Sequence, residues 1–314
     1  MVPRPDRDST TPGYLLGVRW REILPWISWW FVMAACYAAT VTLCAGAPIT
    51  PGILFQMTLA NTFGIVALEQ LLPGRNANLF RDRQSLNDMG HGVTFAFLGR
   101  PLATAGSFAL AALIAQHWAG AGRLWPSNAA LLAQVVPAIL VWALMDYAMH
   151  RAMHTFAPLW WFHALHHDTP QLHLLKSGRL HIGEETLRYL CFPAVMATLG
   201  TPPEVMLWVA LWAVFSGNLQ HSNLDQRFPD WMHYVLPTVQ LHVIHHARER
   251  RLQDSNYSGN TPLWDIAFGT FRHPARNPVT RLGLEGAPVP PGFLAQLAYP
   301  FRALARSGTG DTRE

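Results

Sequence analysis

Four apolar stretches in the first half of the chain limit what it can fold into. They cover residues 23–44, 53–72, 93–119 and 129–149, and each is close to the roughly 20 residues that a helix needs to cross a bilayer. Arg100 lies near the start of the third stretch, so we place the start of that span near Leu102. Only 13% of the residues are charged, against about a quarter in soluble domains. The sequence therefore predicts an all-α integral membrane protein with about four transmembrane helices, since helices satisfy their own backbone hydrogen bonds in lipid.

Arginines are distributed unevenly between the two sides of the membrane that these spans define. The loop at residues 45–52 is uncharged, and the loop between the third and fourth spans holds only Arg123. The N-terminal segment and the loop after the second span, on the opposite side, hold Arg4, Arg7, Arg19, Arg21, Arg75, Arg81 and Arg83. The positive-inside rule places this arginine-rich side in the cytoplasm. Short loops and an Ala-, Arg- and Trp-rich composition favour a bacterial inner membrane. The small net charge of +4 gives no reason to expect a nucleic-acid partner.

A further apolar region covers residues 187–219 and is interrupted by proline and glycine. The Gly-Thr-Pro-Pro sequence from Gly200 to Pro203 predicts a turn between two short helices, and such a hairpin leaves and enters the membrane on one side. We therefore divide the chain into a cytoplasmic segment (1–22), transmembrane helices (23–149), a region with a cytoplasmic helical cap that includes the hairpin (150–274) and a C-terminal tail (275–314).

Histidines are concentrated after the fourth span, at spacings that suit metal binding. The pattern H-x-x-H-H occurs twice, about eighty residues apart, and a pair at i and i+4 precedes the first copy. Positions i, i+3 and i+4 lie on one side of a helix, so we expect each triplet to direct its imidazoles at one point. Neutral imidazole is a common ligand for transition metals. These eight histidines exceed the needs of one ion and predict a two-metal centre: His150, His154, His163, His166, His167, His242, His245 and His246.

Other sequence features narrow this prediction. His221 follows the hairpin on the same side as the clusters. Asp146, one turn before His150, is the best candidate to orient a ligand imidazole. Weaker candidates for that role, which we interpret as loop or capping residues, are Asn223, Asp225, Asp254 and Asn256. No H-E-x-x-H zinc-protease motif occurs, and the cysteines do not stand at ligand spacing: Cys36, Cys44 and Cys191.

An ordered set of motifs between Asp146 and Thr270 resembles the fatty acid hydroxylase/sterol desaturase superfamily of integral-membrane di-metal oxygenases. The first half reads Asp146-Tyr147-x-x-His150-Arg151-x-x-His154, His163-x-x-His166-His167 and Arg179-x-His181-x-x-Glu184. The second half reads His221-Ser222-Asn223-Leu224, His242-x-x-His245-His246, Asn256-Tyr257 and Trp264-Asp265-x-x-Phe268-Gly269-Thr270. Each motif alone is weak, but the set in this order is specific.

The resemblance implies a di-iron centre that uses O2 and two external electrons to hydroxylate or desaturate a lipid C–H bond. It matches the eight clustered histidines to the family's ligands, and it adds His221 and His181 as further candidate ligands. Ile182 stands where the family's element around His181 usually has proline. The implied partners are a lipid (fatty acyl, sterol, carotenoid or ether lipid) and an electron donor such as a ferredoxin or flavin reductase. Five histidines match no ligand motif: His91, His117, His173, His233 and His273.

Several alternatives stay open at this point. Hydroxylation and desaturation share hydrogen abstraction from the substrate, and the sequence does not separate them. A membrane haem protein would place histidine pairs inside facing spans, whereas these clusters follow the last span and are dense. A non-catalytic metal- or lipid-binding relative is the third reading, although the ligand set is complete.

Overall fold

The computed structural model describes residues 14–15, 18–74, 79–286 and 288–308, and within them the fold is helical. Two strands of two residues each, Tyr14–Leu15 and Val18–Arg19, pair antiparallel at the start. The all-α prediction is therefore confirmed. The α-helices are α1 Trp20–Cys44, α2 Pro51–Leu71, α3 Ser85–Thr94, α4 Arg100–His117, α5 Leu131–Thr155, α6 Ala157–His167, α7 Ile182–Leu199, α8 Pro203–His221, α9 Val239–His245, α10 Arg250–Gln253, α11 Leu263–Ala267 and α12 Phe293–Gly308.

Four helical segments are long and apolar enough to cross a membrane, as the sequence predicts. They cover Glu22–Cys44, Pro51–Leu71, Ser85–His117 and Leu131–Thr155. Large apolar side chains project from them without protein partners; Phe63, Phe97 and Phe108 are 67–76% exposed. In water this surface would be a large unfavourable patch, so it is the surface that faces lipid. Among the described residues no other helix meets the criteria for a span.

The third span begins earlier than the sequence predicts. α3 continues through a π-helical turn at Phe95–Gly99 into α4, so Arg100 lies inside the long helix rather than before it. Its guanidinium lies 5.4 Å from the centre of the Tyr189 ring of α7, an arrangement in which the ring face attracts the cation. Because this neighbour accommodates the charge, Arg100 does not end the helix.

The predicted hairpin consists of α7 and α8, with Gly200 at the turn. Gly200 has φ +90°, and a Cβ there would lie 2.4 Å from the carbonyl oxygen of Gly122, so only glycine fits. α8 packs against α2 and α5, and Phe215 and Leu211 join Ile65 of α2 in the main apolar core. The hairpin thereby fixes the position of His221 at the end of α8.

Helices α6, α9, α10 and α11 lie outside the four candidate spans. The C-terminal tail also contributes a helix, which proline residues obscure in the sequence. α12 packs on α6 and α3, with Tyr299 against Trp161 and Gln296 hydrogen-bonded to His91 at 3.0 Å. These contacts support α6, which carries three of the predicted ligands.

Candidate metal centre

Nine buried histidines converge from four places in the fold. α5 supplies two, α6 three and the end of α8 one, while α9 supplies two and His246 follows directly after it. They form two groups, and within each group the potential ligand atoms all lie within 4.8 Å of one another. The five-histidine group is His150, His154, His163, His167 and His245, and the four-histidine group is His166, His221, His242 and His246.

Each H-x-x-H-H triplet is divided between the two groups, which corrects the expectation that a triplet points at one site. On α6 the residues at i and i+4, His163 and His167, join the five-histidine group, and His166 joins the other. In the second triplet the assignment is reversed. The residues at i and i+4, His242 and His246, join the four-histidine group, and His245 joins the five-histidine group. At about 100° per residue, i and i+4 are separated by about 40° around the helix, whereas i+3 and i+4 are about 100° apart. The two helices therefore supply ligands to both sites reciprocally.

The facing nitrogens lie at distances that fit ligands of one metal ion. In the five-histidine group, the Nε2 atoms of His150 and His163 are 2.9 Å apart, and that of His167 lies 3.1 Å from that of His163. In the four-histidine group the Nε2 of His242 lies 2.8 Å from His221 and 3.0 Å from His246. Two nitrogens bound at 2.0–2.1 Å to one ion lie roughly 2.9–3.4 Å apart in octahedral or tetrahedral geometry.

The close contact between the Nε2 atoms of His150 and His163 cannot be a hydrogen bond. The Nδ1 of His150 lies 2.6 Å from the carbonyl oxygen of Tyr257, and the Nδ1 of His163 lies 3.0 Å from both oxygens of Glu184. A carbonyl or carboxylate oxygen only accepts, so each Nδ1 carries the proton and each Nε2 carries a lone pair. Two lone pairs 2.9 Å apart repel unless a cation lies between them. The donor set therefore fits a transition-metal ion.

Carboxylates orient two ligands of the five-histidine group. Glu184, in the first turn of α7, accepts from His163, and Asp254 accepts from the Nδ1 of His154 at 3.1 Å. Such contacts fix the tautomer and raise the basicity of the coordinating nitrogen. Asp254, a weaker candidate in the sequence that we interpreted as a loop or capping residue, makes this contact. Glu184 stands in the quoted motif three residues after His181, but without a known partner its spacing gave no role.

A loop at residues 255–258 orients two more ligands through its backbone. The carbonyl of Ser255 accepts from the Nδ1 of His245 at 2.8 Å, as that of Tyr257 does from His150. Asp265 holds the loop by accepting from the backbone N–H groups of Tyr257 and Ser258, both at 2.8 Å. Asn256 adopts a left-handed conformation with φ +51°. The Asn256-Tyr257 and Asp265 motifs thus do not face a metal themselves. They hold the backbone carbonyls that orient two of the candidate ligands.

Burial keeps these imidazoles in the form that binds metal. Removal from water, and then the neighbouring imidazoles, hold the pKa of His163, His167 and His246 well below its usual range. The side chains are neutral at physiological pH and each can offer a lone pair. Burial also raises the pKa of Glu184 to about 7, and the nearby Arg188 opposes the shift and favours the ionised form that accepts from His163.

Comparisons with known proteins agree with this geometry. Residues 135–270 match the fatty acid hydroxylase family. The chain is 32% identical to the ornithine lipid hydroxylase of Rhizobium tropici over 259 residues, which are 80% of this chain and 77% of that protein. The chain belongs to the fatty acid hydroxylase/sterol desaturase superfamily.

Two more distant members of the superfamily match a shorter part of the chain. The dihydroceramide fatty acyl 2-hydroxylase of Arabidopsis thaliana is 28% identical over 154 residues, covering 44% of this chain and 60% of that protein. Human alkylglycerol monooxygenase is 28% identical over 136 residues, covering 40% of this chain and 27% of that protein. No solved structure matches the chain significantly. The relatives are lipid hydroxylases and monooxygenases, in a family of iron-dependent oxygenases.

The structure places His181, one of the two added candidate ligands, outside both groups. Its Nε2 donates to the carbonyl of Leu297 at 3.0 Å, and its Nδ1 accepts from the backbone N–H of Gly183 at 3.0 Å. With both nitrogens engaged, His181 caps α7 and attaches it to α12. His221, the other candidate, lies within the four-histidine group and donates from Nδ1 to the carbonyl of Gly217 at 2.8 Å.

Asp146 does not contact a ligand imidazole. One of its oxygens forms an ion pair with Arg188, and the other accepts from the backbone N–H of Gly259 at 3.3 Å. Arg188 also binds Glu184 at 3.1 Å, so Asp146 reaches His163 through two intermediate side chains. Glu184 instead makes the direct contact with a candidate ligand that we predicted for Asp146. Because Glu184 is on α7, 21 residues from His163, short-range spacing in the sequence does not reveal this contact.

The five histidines without a ligand motif lie outside both groups. His91 binds Gln296, and His273 donates from Nε2 to the carbonyl of Asp230 at 3.1 Å. His173 binds Asp82 at 2.9 Å beside Asp88, but Lys176 and Arg179 already pair with these carboxylates. We interpret this cluster as a buried ion-pair network rather than a metal site.

Proposed function

We propose that this protein is a membrane lipid monooxygenase whose two histidine groups each hold one iron ion. The observation that carries the proposal is the pair of convergent, neutral nitrogen sets, five and four in number, at distances suited to metal ligation. Their closeness supports a shared centre, since the rings of His167 and His246 from the two groups stack with centroids 4.7 Å apart. All ten predicted ligands except His181 remain in the proposed site.

The overall reaction takes a C–H bond, O2, two electrons and two protons to a C–OH bond and water. Bound iron supplies the activation of O2, as in other non-haem iron oxygenases with open coordination positions. The chain's own residues hold the ions with neutral imidazoles, which leaves the metals cationic. Glu184 and Asp254 keep two ligand tautomers fixed. Tyr257 and Trp160, whose ring centres lie 5.1 and 5.2 Å from that of His154, shield the site from water.

We propose an acylated amino-acid lipid as the substrate class to test first, because the ornithine lipid hydroxylase is similar over most of both chains. The ligand-bearing ends of α5 and α8 adjoin the apolar, lipid-facing helices. A lipid in the bilayer therefore has its polar end near the metal centre. We further propose a bacterial inner-membrane location with this centre on the cytoplasmic side.

The test supplies ornithine lipid in nanodiscs with the iron-loaded protein, a reduced ferredoxin and ¹⁸O2. The expected product carries one added ¹⁸O atom by mass spectrometry, and it disappears in His245→Ala. His117→Ala is the matched control, since His117 is exposed at the far end of α4 and product should be retained. A product that lacks two hydrogens and carries no ¹⁸O would instead show desaturation. No change in any offered lipid would contradict the substrate class.

The haem reading fits the geometry poorly. Two axial histidines of one haem lie on opposite sides of its iron, so their nitrogens are about 4 Å apart at iron–nitrogen distances of about 2.0 Å. The Nε2 atoms that contact each other within the groups are 2.8–3.3 Å apart. No porphyrin plane fits between nitrogens this close. Absence of a Soret band in the iron-loaded protein would check this conclusion.

A further inference from the structure

A cationic surface lies directly behind the second H-x-x-H-H motif. We define it as the arginine face: Arg248, Arg250, Arg251 and Arg281, all exposed. Arg248 and Arg281 form no ion pair with any residue in the described ranges, whereas Arg251 pairs with Glu249 and Arg250 with Asp254. An open cleft of about 330 Å³ lies between residues 247–252 and residues 279–285. Its charged lining is Arg248, Arg281, Glu249 and Glu285, and Leu252 and Val279 are apolar lining residues; Glu249 is already paired with Arg251.

This surface is joined to the metal centre by a short covalent and hydrogen-bonded path. Arg248 is two residues from the ligand His246, and Ala247 between them is buried. The backbone N–H of Arg248 donates to the carbonyl of Arg281 at 2.9 Å, and that of Gly283 donates to the carbonyl of His246 at 3.2 Å. Both sides of the cleft thus connect to one ligand of the four-histidine group through the backbone.

The proposed reaction needs two electrons that neither O2 nor a lipid C–H bond supplies. A soluble carrier must deliver them, one at a time or as a pair, to a buried centre. Electrostatic attraction between complementary patches speeds such encounters without requiring a large interface, and short-lived redox complexes bury little surface. Unpaired guanidinium groups beside a shallow cleft provide this attraction for a partner with carboxylates.

We infer that the arginine face is the docking surface for an acidic one-electron carrier protein, which would reduce the iron that the four-histidine group is proposed to hold. This inference rests on the proposed function, because it names the source of the electrons. The surface is polar and charged, unlike the lipid-facing spans, so a soluble protein fits it better than the bilayer does. Two successive docking events deliver the two electrons, and each oxidises one carrier by one electron.

The test measures the KM for a reduced acidic [2Fe–2S] ferredoxin in lipid hydroxylation, using the full chain in zwitterionic nanodiscs. The variant is Arg248→Glu with Arg281→Glu, and the control is Arg123→Glu with Arg302→Glu, two exposed arginines outside the arginine face. We expect the KM to rise about tenfold in the variant with kcat nearly unchanged, and the control to match wild type. The milder pair Arg248→Gln with Arg281→Gln should shift the KM in the same direction by less.

A parallel measurement separates this inference from the proposed function. Chemical reduction with dithionite followed by O2 bypasses the carrier, so wild type and variant should form equal product in a single turnover. If wild type forms none, the proposed function fails, while weaker ferredoxin binding by the variant would still support the docking surface. An unchanged KM and unchanged binding would overturn the inference. So would a KM effect that appears only in nanodiscs with anionic lipid, since the surface would then meet the membrane.

Discussion

Whether a histidine in this chain can bind a metal through one ring nitrogen depends on the atom that its other ring nitrogen contacts. Four candidate ligands each donate from Nδ1 to a carbonyl or carboxylate oxygen, which leaves Nε2 free for a metal: His150, His154, His163 and His245. His181 differs because the backbone occupies both of its nitrogens. Spacing along the sequence identifies histidines that share a side of a helix, but the tautomer depends on partners from distant segments.

The contact between Glu184 and His163 offers the clearest test of how a distant partner affects metal binding by a histidine. Its buried carboxylate binds His163 on one side and Arg188 on the other, so Glu184→Gln weakens the hold on the ligand and leaves a buried cation less compensated. We expect a loss of about 10–100-fold in metal affinity, measured by competition with a chelator. Glu204→Gln, in the first turn of α8, should leave affinity at the wild-type level. Equal affinity in all three proteins would remove Glu184 from the site.

At the scale of elements, a buried ion-pair network attaches α3 to the segment before α7. The single lysine of the chain, Lys176, binds Asp82 at 2.5 Å and Asp88 at 2.6 Å, and Arg179 binds Asp88 at 2.8 Å. Arg179 also donates to the carbonyl of Leu165 in α6 at 2.9 Å. The network therefore positions α6, the helix that carries three candidate ligands, although the network lies outside both histidine groups.

This network predicts that acid destabilises the fold. Burial alone would raise the pKa of Asp82, but hydrogen bonds from His173, Lys176 and the backbone of Gln84 together lower it below its usual range. A carboxylate with a lowered pKa stabilises the folded state above its unfolded pKa of about 3.9, and this contribution is lost as the pH falls below that value. Thermal unfolding in detergent at pH 7 and pH 3.5 should show a smaller drop for Asp82→Asn than for wild type. An equal drop would show that Asp82 does not contribute.

Elements differ in how far the sequence could predict them. The four spans were predictable from hydropathy, and the turn at Gly200 was predictable from its glycine and proline residues. The structure contains the four spans and the turn. The early start of the third span depends on Tyr189 of α7, which accommodates Arg100. α12 depends on contacts with α6 and α3 that outweigh Pro300 inside the helix. The ligand types were predictable from spacing, whereas the division of each triplet depends on how α6 and α9 face each other.

At the scale of the whole molecule, charge distribution predicts which side of the membrane holds the centre. From the arginine-rich loops we propose that the histidine groups and the arginine face lie in the cytoplasm and that Arg123 lies on the other side of the membrane. In a variant with its cysteines replaced, Arg123→Cys should react with an impermeant maleimide in intact cells. Arg251→Cys, on an exposed part of the arginine face, should react only after the membrane is opened. The reverse pattern would contradict the proposed orientation.

The most direct test of the account is the iron content per chain of the detergent-purified protein, measured by plasma mass spectrometry on three proteins together. Wild type should hold two iron ions. His166→Ala should hold about one, because His166 belongs to the four-histidine group alone. His273→Ala, whose imidazole lies outside both groups, should hold two. One ion or none in wild type, or two in His166→Ala, would contradict a centre built from two histidine groups.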